Sequence, residues 1–489
     1  MMNQYDTPLF DAVKKYIADQ VVPFHVPGHK QGQGIPELRD YLGERVFNMD
    51  VNGMEDLDYI NNPTGVILQA QELLASAYGA KNAYFLVNGT TSGVQAMIMS
   101  SCEPGSEIII PRNAHRSTFG GIILSGAHPI YVQPEINKEL GFAMGVTAET
   151  IRKAVRQHPH AKAVFLINPT YYGFASDLAS ITAIAHSHNM AVLVDEAHGA
   201  HLPFHDDLPL SAMHAGADIS AASIHKTAGS MTQSSVLLLK SKLISHEKVK
   251  EVLNLNYTSS ASYVLLCSLD VARKQLATRG TEILSQTLET ARWARKQINQ
   301  IPGLHASGKE LVGIPGCFEF DETKLGINVR GLGCTGYQVE AMLRRDYNIQ
   351  IELSDLYNIL AILSVGDSMS SVEILCQALK DMVSKTEFKY FKNSTTIPYC
   401  PEMVVTPRDA FYSPKVIIPL EESVGQISGE MVMAYPPGIP VICMGERVTR
   451  EIIDYIKILK EEKCELQGTA DSDVNYIRVL GTRKPAPKR

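Results

Sequence analysis

The chain has 489 residues, 45% of them apolar and 20% charged, with a net charge of -7. That size suits two or three domains around a sizeable core, and the composition excludes a disordered chain. The mild acidic excess argues against nucleic acid as a partner.

The eight cysteines are scattered without a Cys-x-x-Cys pair, which points to a reducing compartment. No apolar stretch approaches the length of a membrane span, and the N-terminus carries neither a basic flank nor an apolar signal core. No membrane is expected as a partner, and the expected location is cytoplasmic.

Residues 1–60 read as an arm. One amphipathic helix is predicted over 9–21, and the following Gly/Pro-rich segment, Pro23 to Gly34, must be a loop. From about 65 to 240, short apolar runs alternate with helical patterns. Strands are predicted over 83–87, 107–110, 128–132, 163–167, 191–194 and 236–239, with helices over 149–158 and 178–188. Runs apolar on both faces and separated by helices imply an α/β fold with a mainly parallel sheet. Ligands on such a sheet bind beyond the carboxyl ends of its strands.

A long helix over 261–301 leads into a smaller α/β unit. The stretch 391–402, with Asn393-Ser-Thr-Thr-Ile-Pro398, reads as a linker, and the basic tail 483–489 as frayed. The expected division is an arm (1–60), a large domain (61–300), a small α/β domain (301–390) and a C-terminal α+β domain (391–489).

Three features on this frame carry chemistry. Asn88-Gly89-Thr90-Thr91-Ser92-Gly93 joins a strand to a helix, so Thr91 and Ser92 meet the free donors and dipole that favour an anion such as phosphate. Alone, such a turn also reads as an ordinary helix cap. Asp195 ends the apolar run from Met190, where a carboxylate can face a ring nitrogen or simply make a turn. Lys226 follows the small-residue run Ala221-Ala-Ser, a crowded setting that favours a neutral amine able to condense with an aldehyde; most lysines are surface residues instead. A phosphate nest, a strand-end carboxylate and such a lysine are what pyridoxal phosphate needs from a protein. His115 follows the 107–110 strand by one turn of chain, placed to stack on a cofactor or to sit on the surface.

These stretches, with Phe24-His-Val-Pro-Gly-His-Lys30, Pro111-Arg-Asn-Ala-His115, Asn168-Pro-Thr-Tyr171, Val194-Asp-Glu-Ala-His198-Gly199, Ser223-Ile-His-Lys226 and Tyr435-Pro-Pro-Gly-Ile-Pro440, run nearly end to end. Together they resemble the bacterial ornithine/lysine/arginine decarboxylase family, and within it the short Gram-positive-type members. The resemblance implies a fold-type-I, aspartate-aminotransferase-like large domain that binds pyridoxal 5'-phosphate. It implies Lys226 as the cofactor-bearing lysine, Asp195 on the ring nitrogen and His115 stacked on the ring. Thr90, Thr91, Ser92 and Ser223 would line the phosphate, and His225 would be a proton donor beside the lysine. Thr258, Ser259 and Ser260 would reach the phosphate of a partner subunit, in a homodimer or dimer of dimers with shared active sites.

Two departures accompany the resemblance. The receiver-like N-terminal domain of longer members is not expected here, and His198 stands where those members tend to carry Trp.

The implied reaction is decarboxylation of a basic amino acid, arginine to agmatine in polyamine biosynthesis, with lysine or ornithine as the alternatives. Glu352 matches the family's glutamate for the distal cation. Asp355 either adds acceptors for a planar guanidinium or forms an acidic turn.

Other readings are weaker. Gly331-Leu-Gly333-Cys-Thr-Gly336 spells a dinucleotide fingerprint but opens no mononucleotide unit, and Thr335 with Gln338 reads as a capping box. Asp195-Glu-Ala-His198 spells a helicase box without any phosphate-binding loop to serve it. A metal hydrolase would use His198, His201 and His205 with Asp206 and Asp207, although no i, i+4 helical pair is present; no metal is expected. An aminotransferase would need an arginine clamp, for which Arg408 is the candidate. A non-catalytic regulatory relative would have little use for Lys226 and Asp195.

Overall fold

Seven strands form the frame of the large α/β region: β1 (Asn82–Leu86), β2 (Glu107–Pro111), β3 (His128–Val132), β4 (Ala163–Ile167), β5 (Ala191–Asp195), β6 (Ile219–Ala222) and β7 (Ser235–Leu239). Six fall on the apolar runs. The seventh, β6, is built from small residues and is fully buried. The computed structural model describes residues 3–385, 401–435 and 439–481. The expected linker up to residue 400, residues 436–438 of the Pro-rich stretch and the tail 483–489 lie outside the described residues.

The chain divides into two compact units. The first comprises Met1–Ser101, Ala191–Thr287 and Ser364–Gly366. In it β7 pairs antiparallel with both β1 and β6, and β6 pairs parallel with β5 so that Asp195 lies opposite Ala221. The chain leaves β1 through Gly89, whose φ of +69° suits glycine, and enters the Gly89–Ser101 helix. This helix lies close on the sheet. A Cβ at Gly93 would stand 2.7 Å from Leu86 Cδ1 and 3.0 Å from Ala221 Cβ.

The arm helix, Pro8–Ala18, buries Leu9, Val13 and Tyr16. Its free N-terminal amides are met by Asp270, whose Oδ2 accepts from Leu9 N–H at 3.1 Å. Arg273 pairs with Asp270 at 2.6 Å and donates to the Gln4 and Asp6 carbonyls. The arm is therefore tied to the Tyr263–Ile298 helix by a buried ion pair.

The second unit comprises Cys102–Met190, Leu288–Leu363 and Asp367–Arg489. Here β2 pairs parallel with β3 and β4. A four-stranded antiparallel sheet follows, its longest strands Lys324–Asn328 and Asn358–Ile362. Leu325, Ile327, Val339, Leu343 and Leu379 share its core with the Gly336–Tyr347 and Met369–Lys385 helices. The capping box is present: Thr335 accepts from Gln338 N–H, and Gln338 Oε1 accepts from Thr335 N–H at 3.1 Å. The C-terminal part packs the Arg450–Glu461 helix with antiparallel strands through Val432, Ile442, Ile453, Ile456 and Ile477. Among the described residues no helix is long and apolar enough to cross a membrane.

Candidate active site

Lys226 sits on a single helical turn, Ile224–Thr227, directly after β6. The small side chains of Ala221 and Ala222 let this turn lie at the buried end of the strand. The Lys226 amine is 2.8 Å from His198 Nε2. One partner of this hydrogen bond must accept, so the pair carries at most one positive charge. His198 is thus in direct contact with the candidate reactive lysine.

Asp195 ends β5 in the same unit, opposite Ala221 in register. It is buried, and burial pushes its carboxyl up, opposed by the Ala197 N–H and by the charge of Lys226. Its Oδ1 accepts from Ala197 N–H at 3.1 Å. No hydrogen-bond donor among the described residues reaches Oδ2. A desolvated carboxylate with an oxygen to spare is suited to a protonated ring nitrogen, and this fits pyridoxal phosphate.

His225 places Nδ1 2.8 Å from the Ser234 carbonyl. A carbonyl only accepts, so Nδ1 carries a proton and Nε2 is the nitrogen that can exchange one. Thr90 is buried, with its hydroxyl 2.5 Å from Ser223 Oγ and 2.9 Å from Ser235 Oγ. These three hydroxyls stitch the Gly89–Ser101 helix to β7 and to the lysine turn. Ser92 Oγ donates to the Gly89 carbonyl at 2.8 Å, while Thr91 is exposed at the helix start. Backbone amides and Thr91 therefore present the more open donors for a phosphate. Ser259 and Ser260 are exposed, and Ser260 N–H donates to Thr258 Oγ1 at 3.2 Å.

Lys226, His198, Asp195, His225, Ser223 and Thr90 thus share one unit, with the contacts above linking most of them. His115, Glu352 and Asp355 belong to the second. His115 is the N-cap of the Arg116–Ser125 helix: Nδ1 accepts from Ser117 N–H at 3.3 Å and lies 2.8 Å from Ser117 Oγ. Its neutral ring therefore holds the proton on Nε2. Glu352 is exposed before the Leu353–Ser354 strand. Asp355 accepts from Tyr357 N–H and Asn358 N–H at 2.8 Å each, from Asn358 Nδ2 and from the Tyr172 hydroxyl. Burial pushes its carboxyl up against these donors.

The residues of the rival sites are dispersed. His201 Nδ1 lies 3.1 Å from Thr227 Oγ1 and His205 Nε2 3.0 Å from Ser285 Oγ, while His198 meets Lys226. No metal-holding group of three His, Cys, Asp or Glu occurs among the described residues. Arg408 donates to the Leu124 carbonyl at 3.1 Å.

The apolar run predicts the last strand one residue short, leaving out Ser235, and nothing in the sequence marks the His198–Lys226 contact. The serine pair before the 236–239 run was the available signal for the first.

Residues 7–325 match the family model described as the Orn/Lys/Arg decarboxylase major domain, and residues 389–472 match that of its C-terminal domain. The chain is 46% identical over 487 residues to the arginine decarboxylase of Bacillus subtilis, covering 99% of both chains. It is 44% identical over 488 residues to that of Bacillus anthracis, again covering 99% of both. The solved structure of the constitutive lysine decarboxylase of E. coli superposes with a TM-score of 0.82 at 20% identity, covering 98% of this chain and 82% of that one. That likeness is one of fold, and the architecture is that of the fold-type-I enzymes.

Proposed function

The chain belongs to the Orn/Lys/Arg decarboxylase family, and on that premise we propose that it is a pyridoxal-phosphate-dependent carboxy-lyase converting L-arginine to agmatine and carbon dioxide. The observation that carries the chemistry is the Lys226 amine held 2.8 Å from His198 in the unit that buries Asp195. The choice of arginine is supported by the full-length identity to arginine decarboxylases.

Pyridoxal phosphate supplies an aldehyde for the amines of lysine and substrate, and a ring that takes up the electron pair left by the departing carboxylate. The protein's part is to place protons and charges. Asp195 would offer Oδ2 to the ring nitrogen and hold a proton there. His198 Nε2 shares a hydrogen bond with the Lys226 amine and can take up its proton when the amine reacts. His225, its Nδ1 fixed by the Ser234 carbonyl, presents Nε2 for proton return to the α-carbon. The helix start at Thr91 and Ser92, with Ser223, would hold the phosphate. His115 would be the ring's stacking partner.

Glu352 receives the distal cation of the substrate, its charge matched to a guanidinium. Asp355 holds the turn that follows, through the amides of Tyr357 and Asn358. The enzyme acts in the cytoplasm at an early step of polyamine, including spermidine, synthesis. A homodimer or dimer of dimers is supported by the apolar side chains that the arm leaves exposed, Val22, Phe24 and Tyr41 among them. The exposed Ser259 and Ser260 would complete the phosphate site of the partner.

The test is direct. Arginine, lysine and ornithine are supplied separately with cofactor, and the amine formed is identified. Agmatine as the dominant product is expected; cadaverine or putrescine instead would overturn the substrate assignment. Borohydride reduction followed by peptide mapping should tag Lys226.

A further inference from the structure

The Val66–Tyr78 helix, β1 and the His246–Asn256 helix line a cavity of about 400 Å³ within the first unit. It shares no lining residue with the Lys226 site. That volume is in the range of small-ligand pockets.

Its wall carries Gln71, only 4% exposed, together with Lys81, Lys250 and His246. The imidazole is fixed by the Tyr84 hydroxyl, 2.5 Å from Nδ1, with the two rings stacked at 5.7 Å. This leaves Nε2 as the ring atom for any ligand. Burial and the two ammonium groups push His246 down, opposed by Glu247. The wall is therefore net positive, although the exposed Glu72 also lines the rim.

We propose that this cavity binds a small phosphate monoester. Lys81, Lys250 and His246 would take the phosphate and Gln71 a polar group on the body of the ligand. Two ammonium groups match a dianion, and three separate donors match its three terminal oxygens. Leu68 and Leu253 supply apolar walls for the body.

The experiment is equilibrium dialysis of labelled adenosine 5'-monophosphate, inorganic phosphate and citrate against enzyme whose cofactor site is already filled. One monophosphate per chain is expected, bound more tightly than inorganic phosphate. Lys81→Met with Lys250→Met should weaken it at least about tenfold. Gln71→Leu, which replaces the amide with an apolar side chain of similar size, should weaken the monophosphate but leave inorganic phosphate unchanged. As a second readout, the His246 ring resonances should titrate at higher pH when the monophosphate is bound. Equal binding in the double lysine variant, no saturable binding of either phosphate probe, or binding of citrate alone would overturn the proposal. Arginine turnover and the Lys226 tag should persist in all three substitutions, which separates this result from a failure of the catalytic assignment.

Discussion

Asp195 and Glu196 are neighbours in sequence and both are buried, yet their carboxyls are held by different backbone amides. Asp195 Oδ1 takes Ala197 N–H at 3.1 Å, and Glu196 Oε1 takes Ala212 N–H at 2.7 Å. One carboxyl ends a strand in the unit that carries Lys226; the other is tied to the Ala212 amide of the framework.

Asp195→Asn should therefore keep the fold and lose turnover. Loss of charge opposite the ring nitrogen is expected to lower kcat by about 10²–10³-fold, the scale of removing one well-placed electrostatic partner. Carbon dioxide release measures this, and unchanged far-ultraviolet circular dichroism confirms the fold.

Glu196→Gln should act on stability instead. Burial, with a smaller push from Asp195, moves the Glu196 carboxyl from 4.5 up to about 8. A folded value above the unfolded one means a contribution fully present below about 4.5 and lost as pH rises through about 8. The wild type should thus lose melting temperature between about pH 6 and pH 9 relative to Glu196→Gln, a difference on the order of a few kcal/mol at the alkaline end. Parallel melting curves at both pH values would reject this.

His198→Phe removes the imidazole that shares a hydrogen bond with the Lys226 amine. Turnover of arginine is expected to fall about 10²-fold, with the pH dependence of kcat/KM altered because the base beside the lysine is lost. His198→Gln, which keeps an acceptor, should restore part of the activity. A purely structural role would leave the profile where it was.

Glu352→Gln should raise KM for arginine about tenfold, the scale of one charge-assisted hydrogen bond, with a smaller effect on kcat. Asp355→Asn is expected to reduce arginine and lysine turnover alike, because it disturbs the Tyr357–Asn358 turn. Steady-state kinetics on both substrates separates the two roles.

Glu446→Gln tests the second unit. The Arg112 guanidinium is buried, bonded to both Glu446 oxygens, and lies 5.1 Å over the Tyr131 ring. Breaking a buried pair from one side should destabilise by about 3–5 kcal/mol. Replacing Arg112 and Glu446 together by apolar residues should cost less, as a double-mutant comparison of melting temperatures would reveal.

Much of this was legible in the chain. The strands over 128–132 and 163–167 match residue for residue, because short, largely apolar runs between turn residues leave little choice. The long helix expected over 261–301 is Tyr263–Ile298. β6 was not legible: Ile219-Ser-Ala-Ala222 has neither alternation nor bulk, and its pairing with β5 and β7 decides its form. Contacts between distant residues were equally silent. Thr90 and Ser235 are 145 positions apart, and His198 and Lys226 are 28 apart. Nothing in either local sequence announces the other. The turn around Asp355 left a guanidinium site and an acidic turn both open, since short acidic stretches look alike until their amide donors are known.

Position 93 has a further implication. With Leu86 and Ala221 standing where a side chain would go, the anion-binding end of its helix is bolted to the strand before it and to the strand that delivers the lysine. Such a seat is built before anything occupies it, so cofactor capture here requires little rearrangement of this helix. Differences in grip between variants would then arise from exposed donors such as Thr91, while the seat itself stays where the sheet has put it.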